Sequence, residues 1–183
     1  GDGKVYAVLK NWGHTGIAYN SAKLSKAPTS WKDFFDMTMG EGSGHTIVHD
    51  YQLTTIGGAL CALGYSFNSV DAGELAKAEK LLIDSKPHLF AITSDYQPGM
   101  RSGDAWMTIC WNGDGLQLNN DIPEIKYTLA TDGGEIWSDF YCIPKDAEHV
   151  DAAYAFINYL LDPKVQVLEF ESHGYATGDS RVD

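Results

Sequence analysis

Two short segments set a tryptophan close to an aspartate. Trp111-Asn112-Gly113-Asp114 follows the most apolar run of the chain, and Ile136-Trp137-Ser138-Asp139 opens another strand-like run. Open α/β sheets hold their ligands at strand ends such as these. An indole face beside a carboxylate suits an ammonium group: the ring gives cation–π attraction, and the carboxylate gives charge and hydrogen bonds. Other chemistries fit less well. His45 and His49 are four apart, but the residues between them favour a strand. Strand spacing would hold the two rings roughly 13 Å apart, too far for one metal ion. Ser94-Asp95 and Ser138-Asp139 are neighbours without a Gly-x-Ser-x-Gly elbow, and adjacency alone makes no triad. The glycines of 12–16 and of Gly113-Asp114-Gly115 lack the spacing of a phosphate-binding loop and read as plain turns. No cofactor and no enzymatic activity are expected.

The surrounding composition is that of a globular chain. Its 183 residues are 44% hydrophobic and 21% charged, with 13 basic against 25 acidic side chains and a formal net charge of −12. That balance argues against nucleic acid as a partner, which needs clustered Lys and Arg. It serves mainly solubility. No apolar run approaches the ~18–20 residues of a bilayer span, so no direct membrane insertion is expected. The start, Gly-Asp-Gly-Lys, has no signal-peptide pattern, although a trimmed mature protein would look the same. Cys61, Cys110 and Cys142 each sit in an apolar run and read as small buried hydrophobes, with one disulfide between two of them left open.

Strands are expected at 5–9, 16–19 (after a break at Trp12-Gly13), 45–49, 89–93, 105–111, 125–129 and 136–143. Ser30 is placed to cap a short helix over 31–35. Thr54 or Thr55 caps a helix that Gly64 stops. Asp71 and Glu74 resemble a capping box, and 96–101 is a short helix or turn. Ala152, Ala153, Phe156, Ile157, Leu160 and Leu161 paint one face of the clearest helix. Asp162-Pro163 starts a last one. Strands alternating with helices imply an α/β fold with a largely parallel sheet.

Several ordered segments resemble the polyamine-binding (spermidine/putrescine) receptors of bacterial ABC importers. They include Trp12-Gly-His-Thr-Gly-Ile-Ala-Tyr-Asn20, Pro28-Thr-Ser-Trp-Lys-Asp33, Ala59-Leu-Cys-Ala-Leu-Gly-Tyr-Ser66, Trp111-Asn-Gly-Asp114, Ile136-Trp-Ser-Asp139, Ala153-Tyr-Ala-Phe-Ile-Asn-Tyr-Leu-Leu-Asp-Pro163 and Gly174-Tyr-Ala-Thr177. The resemblance implies a type II periplasmic-binding-protein fold, with ligand held between two lobes that close by hinge motion and dock on an ABC permease. It implies a periplasmic home, or a lipid-anchored extracellular one in a one-membrane bacterium. It implies that residues 14–136 form most of lobe two, that 1–13 and 137–174 form part of lobe one, and that 175–183 form a tail returning towards the hinge. Trp111 and Trp137 would line the cleft, Asp139 would take an amino or imino group, Asp114 matches a carboxylate of some members, and Tyr175 would add a wall.

This chain departs from the pattern where acids are usual, because Tyr51 and Thr54 stand at those positions. One anchor for a distal amine is therefore expected to be missing. That leaves open another small amine or amino-acid-like ligand, or a degenerate sensor or interaction domain. The resemblance also implies that part of lobe one lies outside these residues. Calorimetry on the isolated 183 residues should accordingly show only weak binding of putrescine and spermidine; tight binding would contradict the expectation.

Overall fold

A computed structural model describes residues 3–182. The chain divides into two compact units, one being His14–Glu135 and the other joining the chain up to Gly13 with the chain from Ile136 onwards. The chain passes between them within β1 (Val8–Asn20) and again after Glu135.

The larger unit holds α1 (Trp31–Thr38), β2 (Thr46–Val48), α2 (Gln52–Ala62), α3 (Ala72–Ser85), a 3₁₀ turn at Lys86–His88, β3 (Leu89–Ile92), α4 (Gln97–Ser102), β4 (Met107–Trp111), α5 (Asn112–Asp121) and β5 (Ile125–Thr128). Its strand order is β3-β2-β4-β1-β5. β2 runs parallel to β3 and β4, as helical crossovers require. β1 is antiparallel to both β4 and β5. The sheet is therefore mixed, not largely parallel: β1 arrives without a crossover helix and wedges between β4 and β5 against their direction.

Period-two alternation gives the sheet two apolar faces. Ile17, Met107 and Ile109 pack on one side with Trp31, Phe34, Phe35 and Leu60. Ala18 and Cys110 face the other side with Ile47, Tyr96, Met100, Leu118 and Ile125. The expected break at Trp12-Gly13 is absent, because β1 runs unbroken through it. Glycine serves close approach here: a Cβ at Gly16 would lie 2.4 Å from the Thr128 carbonyl oxygen.

Caps set most helix starts. Ser30 accepts from Asp33 N–H, Asp71 from Gly73 and Glu74 N–H, and Asp162 from Lys164 N–H. α2 corrects the expectation that Thr54 or Thr55 caps it. It begins earlier, after Tyr51, without a side-chain cap, and both threonine hydroxyls bond elsewhere, Thr55 to the His49 carbonyl at 2.6 Å. Gly113-Asp114-Gly115 is likewise no plain turn but the first turn of α5. Its glycines are buried, and a Cβ at Gly115 would meet the Tyr127 ring at 2.5 Å. All three cysteines are free, and Cys142 is exposed, contrary to the buried reading.

The smaller unit contains the first part of β1, β6 (Glu135–Tyr141) from Ile136 onwards, α6 (Val150–Leu160), α7 (Pro163–His173) and β7 (Ala176–Thr177). β7 pairs with β1 through Asn11↔Thr177 and Trp12↔Ala176. No residue of α6 is fully buried. Tyr154 and Ile157 of α6 line a cavity of about 410 Å³ together with Val5, Val8, Tyr141 and Ile143.

The segment from Leu129 to Gly134 is held to α1 of the same unit. Asp132 accepts from the backbone N–H groups of Trp31 and Lys32, at 2.9 and 3.1 Å. Trp31 Nε1 donates to the Gly133 carbonyl. A remote carboxylate thus caps the first turn of α1 and fixes the approach to Glu135. Asp132→Ala should cost about 1–2 kcal/mol in urea unfolding, as loss of a good N-cap does; a loss below a few tenths would show that the clamp adds nothing.

Candidate functional site

Three carboxylates and a set of rings gather at the ends of β2 and β4. His49, the residue after β2, is buried. Its ring meets Trp111 at 4.5 Å, Tyr51 at 5.4 Å and Tyr96 at 5.7 Å between centroids. Tyr51 also stands edge-on to Trp111, at 6.0 Å. The Tyr51 N–H donates to His49 Nδ1 at 3.3 Å. An accepting Nδ1 leaves the proton on Nε2, which is buried without a partner among the described residues. Burial, the largest cause, holds this imidazole below its usual pKa of 6.5, while the charges of Asp50, Glu135 and Asp114 pull the other way. One ring thus reports all three acids.

At the end of β4, the Trp111 N–H donates to Tyr96 Oη at 3.1 Å, and that phenol donates to Asp114 Oδ2 at 2.6 Å. Burial pushes the Tyr96 phenol well above its ordinary pKa, so it stays a donor. Asn112 Oδ1 accepts from the His14 N–H at 3.0 Å, and His14 Nδ1 meets Tyr127 Oη at 2.9 Å. Burial lowers the His14 pKa as well. Short α5 therefore locks Trp111 and Asp114 in place from its first turn.

Glu135 was not singled out in the sequence. Its Oε2 accepts from Thr15 Oγ1 at 2.7 Å and from Thr54 Oγ1 at 2.9 Å. Thr54, noted as the position of a missing acid, thus lies against a carboxylate carried by another element. A signal was available: Glu135, Trp137 and Asp139 fall at i, i+2 and i+4, one face of a strand.

The other expected site residues lie in the smaller unit. Trp137 and Tyr175 meet edge-on at 5.0 Å, and the His173 ring stands 5.3 Å from Tyr175. The Tyr175 N–H donates to His173 Nδ1 at 3.1 Å. Trp137 Nε1 and His173 Nε2 are buried without partners among the described residues. Asp139 is exposed. So the larger unit gathers Tyr51, Thr54, Trp111 and Asp114, and the smaller unit gathers Trp137 and Tyr175. His45 takes no part: it stacks on Trp106 at 3.8 Å. No metal-holding cluster of three ligands occurs among the described residues.

The chain matches the bacterial extracellular solute-binding protein family over residues 1–181, and it belongs to that family. It is 29% identical over 97% of its length to the putrescine/agmatine-binding protein of Pseudomonas aeruginosa, covering 52% of that protein. It is 31% identical over 94% of its length to the spermidine/putrescine-binding periplasmic protein of Escherichia coli K12, covering 49% of it. The chain thus spans about half the length of these curated relatives. Among solved structures, it resembles the spermidine/putrescine ABC transporter substrate-binding protein of Streptococcus pneumoniae, with a TM-score of 0.80 and 28% identity over 97% of this chain and 54% of that one. A lipoprotein of Treponema pallidum gives a TM-score of 0.84 at 26% identity, over 97% and 58% of the two chains. The fold is the α/β fold of periplasmic binding proteins, as the motif order implied.

The buried imidazole gives a pH test. Because folding lowers the His49 pKa from 6.5, the unfolded chain binds that proton more readily. Stability is therefore full above about pH 6.5 and falls as pH drops below it. Asp33, held below 3.8 chiefly by its hydrogen bond from Lys26, loses its share only in stronger acid. His49→Gln should flatten the slope of Tm between pH 6.5 and 5, leaving the shares of His14 and His173; an unchanged slope would contradict the assignment.

Proposed function

We propose that this chain supplies one lobe nearly complete, and part of the second, of an extracytoplasmic receptor that captures a polyamine or diamine and passes it to an ABC permease. In this reading residues 14–136 are lobe two, 1–13 and 137–174 are part of lobe one, and 175–183 are a tail returning towards the hinge. The home is periplasmic, or lipid-anchored at the surface of a one-membrane bacterium. The observation that carries the reading is the joining of Trp111 and Tyr51 with Asp114, Asp50 and Glu135 around one ring. Aromatic faces suit the alkyl chain and the cation, and carboxylates suit the ammonium groups. The names of the relatives in Pseudomonas and Escherichia support the same ligand class.

Each expected residue then has a role. In the larger unit, Trp111 and Tyr51 offer rings to the alkylamine and Asp114 offers a carboxylate to a charged group; in the smaller unit, Trp137 and Tyr175 offer rings and Asp139 a carboxylate. The groups offered are binding groups. Among the described residues the side chain bonded to Asp114 is a phenol, that of Tyr96, not a nucleophile paired with a base. We therefore read a receptor, not an enzyme.

Ligand that binds only the folded state raises its melting temperature. In the full-length receptor, millimolar putrescine should raise Tm while glutarate does not. Trp111→Ala and Asp114→Asn should each weaken putrescine binding on the order of tenfold, the scale of one cation–π contact or one charge-assisted bond. No shift with any diamine would overturn the reading.

A further inference from the structure

We infer that Glu135 is a specificity residue: its carboxylate takes one ammonium group of a diamine, supplying at Thr54 the acid that Thr54 itself lacks. This rests on the amine-receptor reading above and adds a residue to it. The geometry is particular. Oε2 is held by two hydroxyls, at 2.7 and 2.9 Å. Both donors are fixed, since Thr15 and Thr54 are 1% and 2% exposed. Their elements, β1 and α2, converge on the carboxylate from two directions, so its position is set before any ligand arrives.

The electrostatics are equally specific. Both donors are neutral. None of the ion pairs among the described residues includes Glu135. Carboxylates taken partly out of water are normally matched by a basic side chain. Glu135 has none, and its second oxygen, Oε1, has no hydrogen bond from the protein among the described residues. Its charge is felt at His49, beside the Trp111 and Tyr51 rings. A half-buried anion with one oxygen fixed and one unspent, whose charge reaches the ring that Trp111 and Tyr51 pack against, calls for a mobile cation. The ammonium end of a diamine is the matching chemistry.

Thr54 explains why the acid can sit elsewhere in the sequence. Its Oγ1 touches Glu135 Oε2, so a carboxylate on residue 54 and one on residue 135 address nearly the same point. Glu135, the first residue of β6, would then serve as the anchor expected at position 54.

Calorimetry on the full-length receptor with putrescine and with butylamine tests this. In Glu135→Gln, which keeps the shape and the acceptor, putrescine affinity should fall about tenfold to hundredfold, the range of a charge-assisted hydrogen bond. Butylamine affinity should change less than about threefold, because a monoamine needs only one anchor. Thr54→Asp added to Glu135→Gln should restore putrescine binding at least tenfold. Glu135→Asp, which keeps charge and fold while retracting the carboxylate by one carbon, should shift preference from putrescine towards the longer cadaverine. Putrescine binding that is untouched in Glu135→Gln, or equal losses for both amines, overturns the inference while the receptor reading stands. A wild-type receptor that binds neither amine overturns both.

Discussion

One carboxylate oxygen ties three parts of the larger unit together. Thr15 lies one residue inside the start of that unit, Glu135 is its last residue, and Thr54 belongs to α2. Both threonine hydroxyls converge on Glu135 Oε2. The two ends of that unit are thereby fixed against one of its own helices. The Asp132 clamp on α1 holds the approach to the same residue. The donors are neutral, so this arrangement settles geometry without cancelling charge. What remains is a rigidly placed anion whose charge reaches the buried His49 ring.

That arrangement gives the acidic composition a sharper meaning. Most of the net −12 lies on exposed side chains and serves solubility. A few carboxylates differ from the rest. Asp114 is oriented by a buried phenol, Glu135 by two buried hydroxyls, and Asp50 stands 3.7 Å from the buried His49 ring. Preset acceptors of this kind reduce the ordering cost of binding a flexible cation.

Much of the fold was legible because local signals were strong. Ser30, Asp71 and Asp162 act as caps, as their residue types announced. The apolar run before Trp111 is a central strand buried on both faces. The failures have physical causes. Gly13 reads as a breaker, yet a glycine in a strand can serve the close approach of another backbone, as Gly16 does here. Asn112-Gly113-Asp114-Gly115 has poor intrinsic helix propensity, and tertiary packing against Tyr127 overrides it. Pattern singles out Trp111, Asp114, Trp137 and Asp139 as candidates, and resemblance adds Tyr175. Glu135 could not be named from resemblance, because its role depends on Thr54, a residue 81 positions away. Only the fold brings the two together.

The most direct test of the account is a crystal structure of the full-length receptor with putrescine bound. The account predicts an ammonium nitrogen within about 3 Å of Glu135 Oε1, with Oε2 still held by Thr15 and Thr54 and the alkyl chain lying on Trp111. A complex in which both ammonium groups sit on other carboxylates, and Glu135 touches only its two threonines, would contradict it.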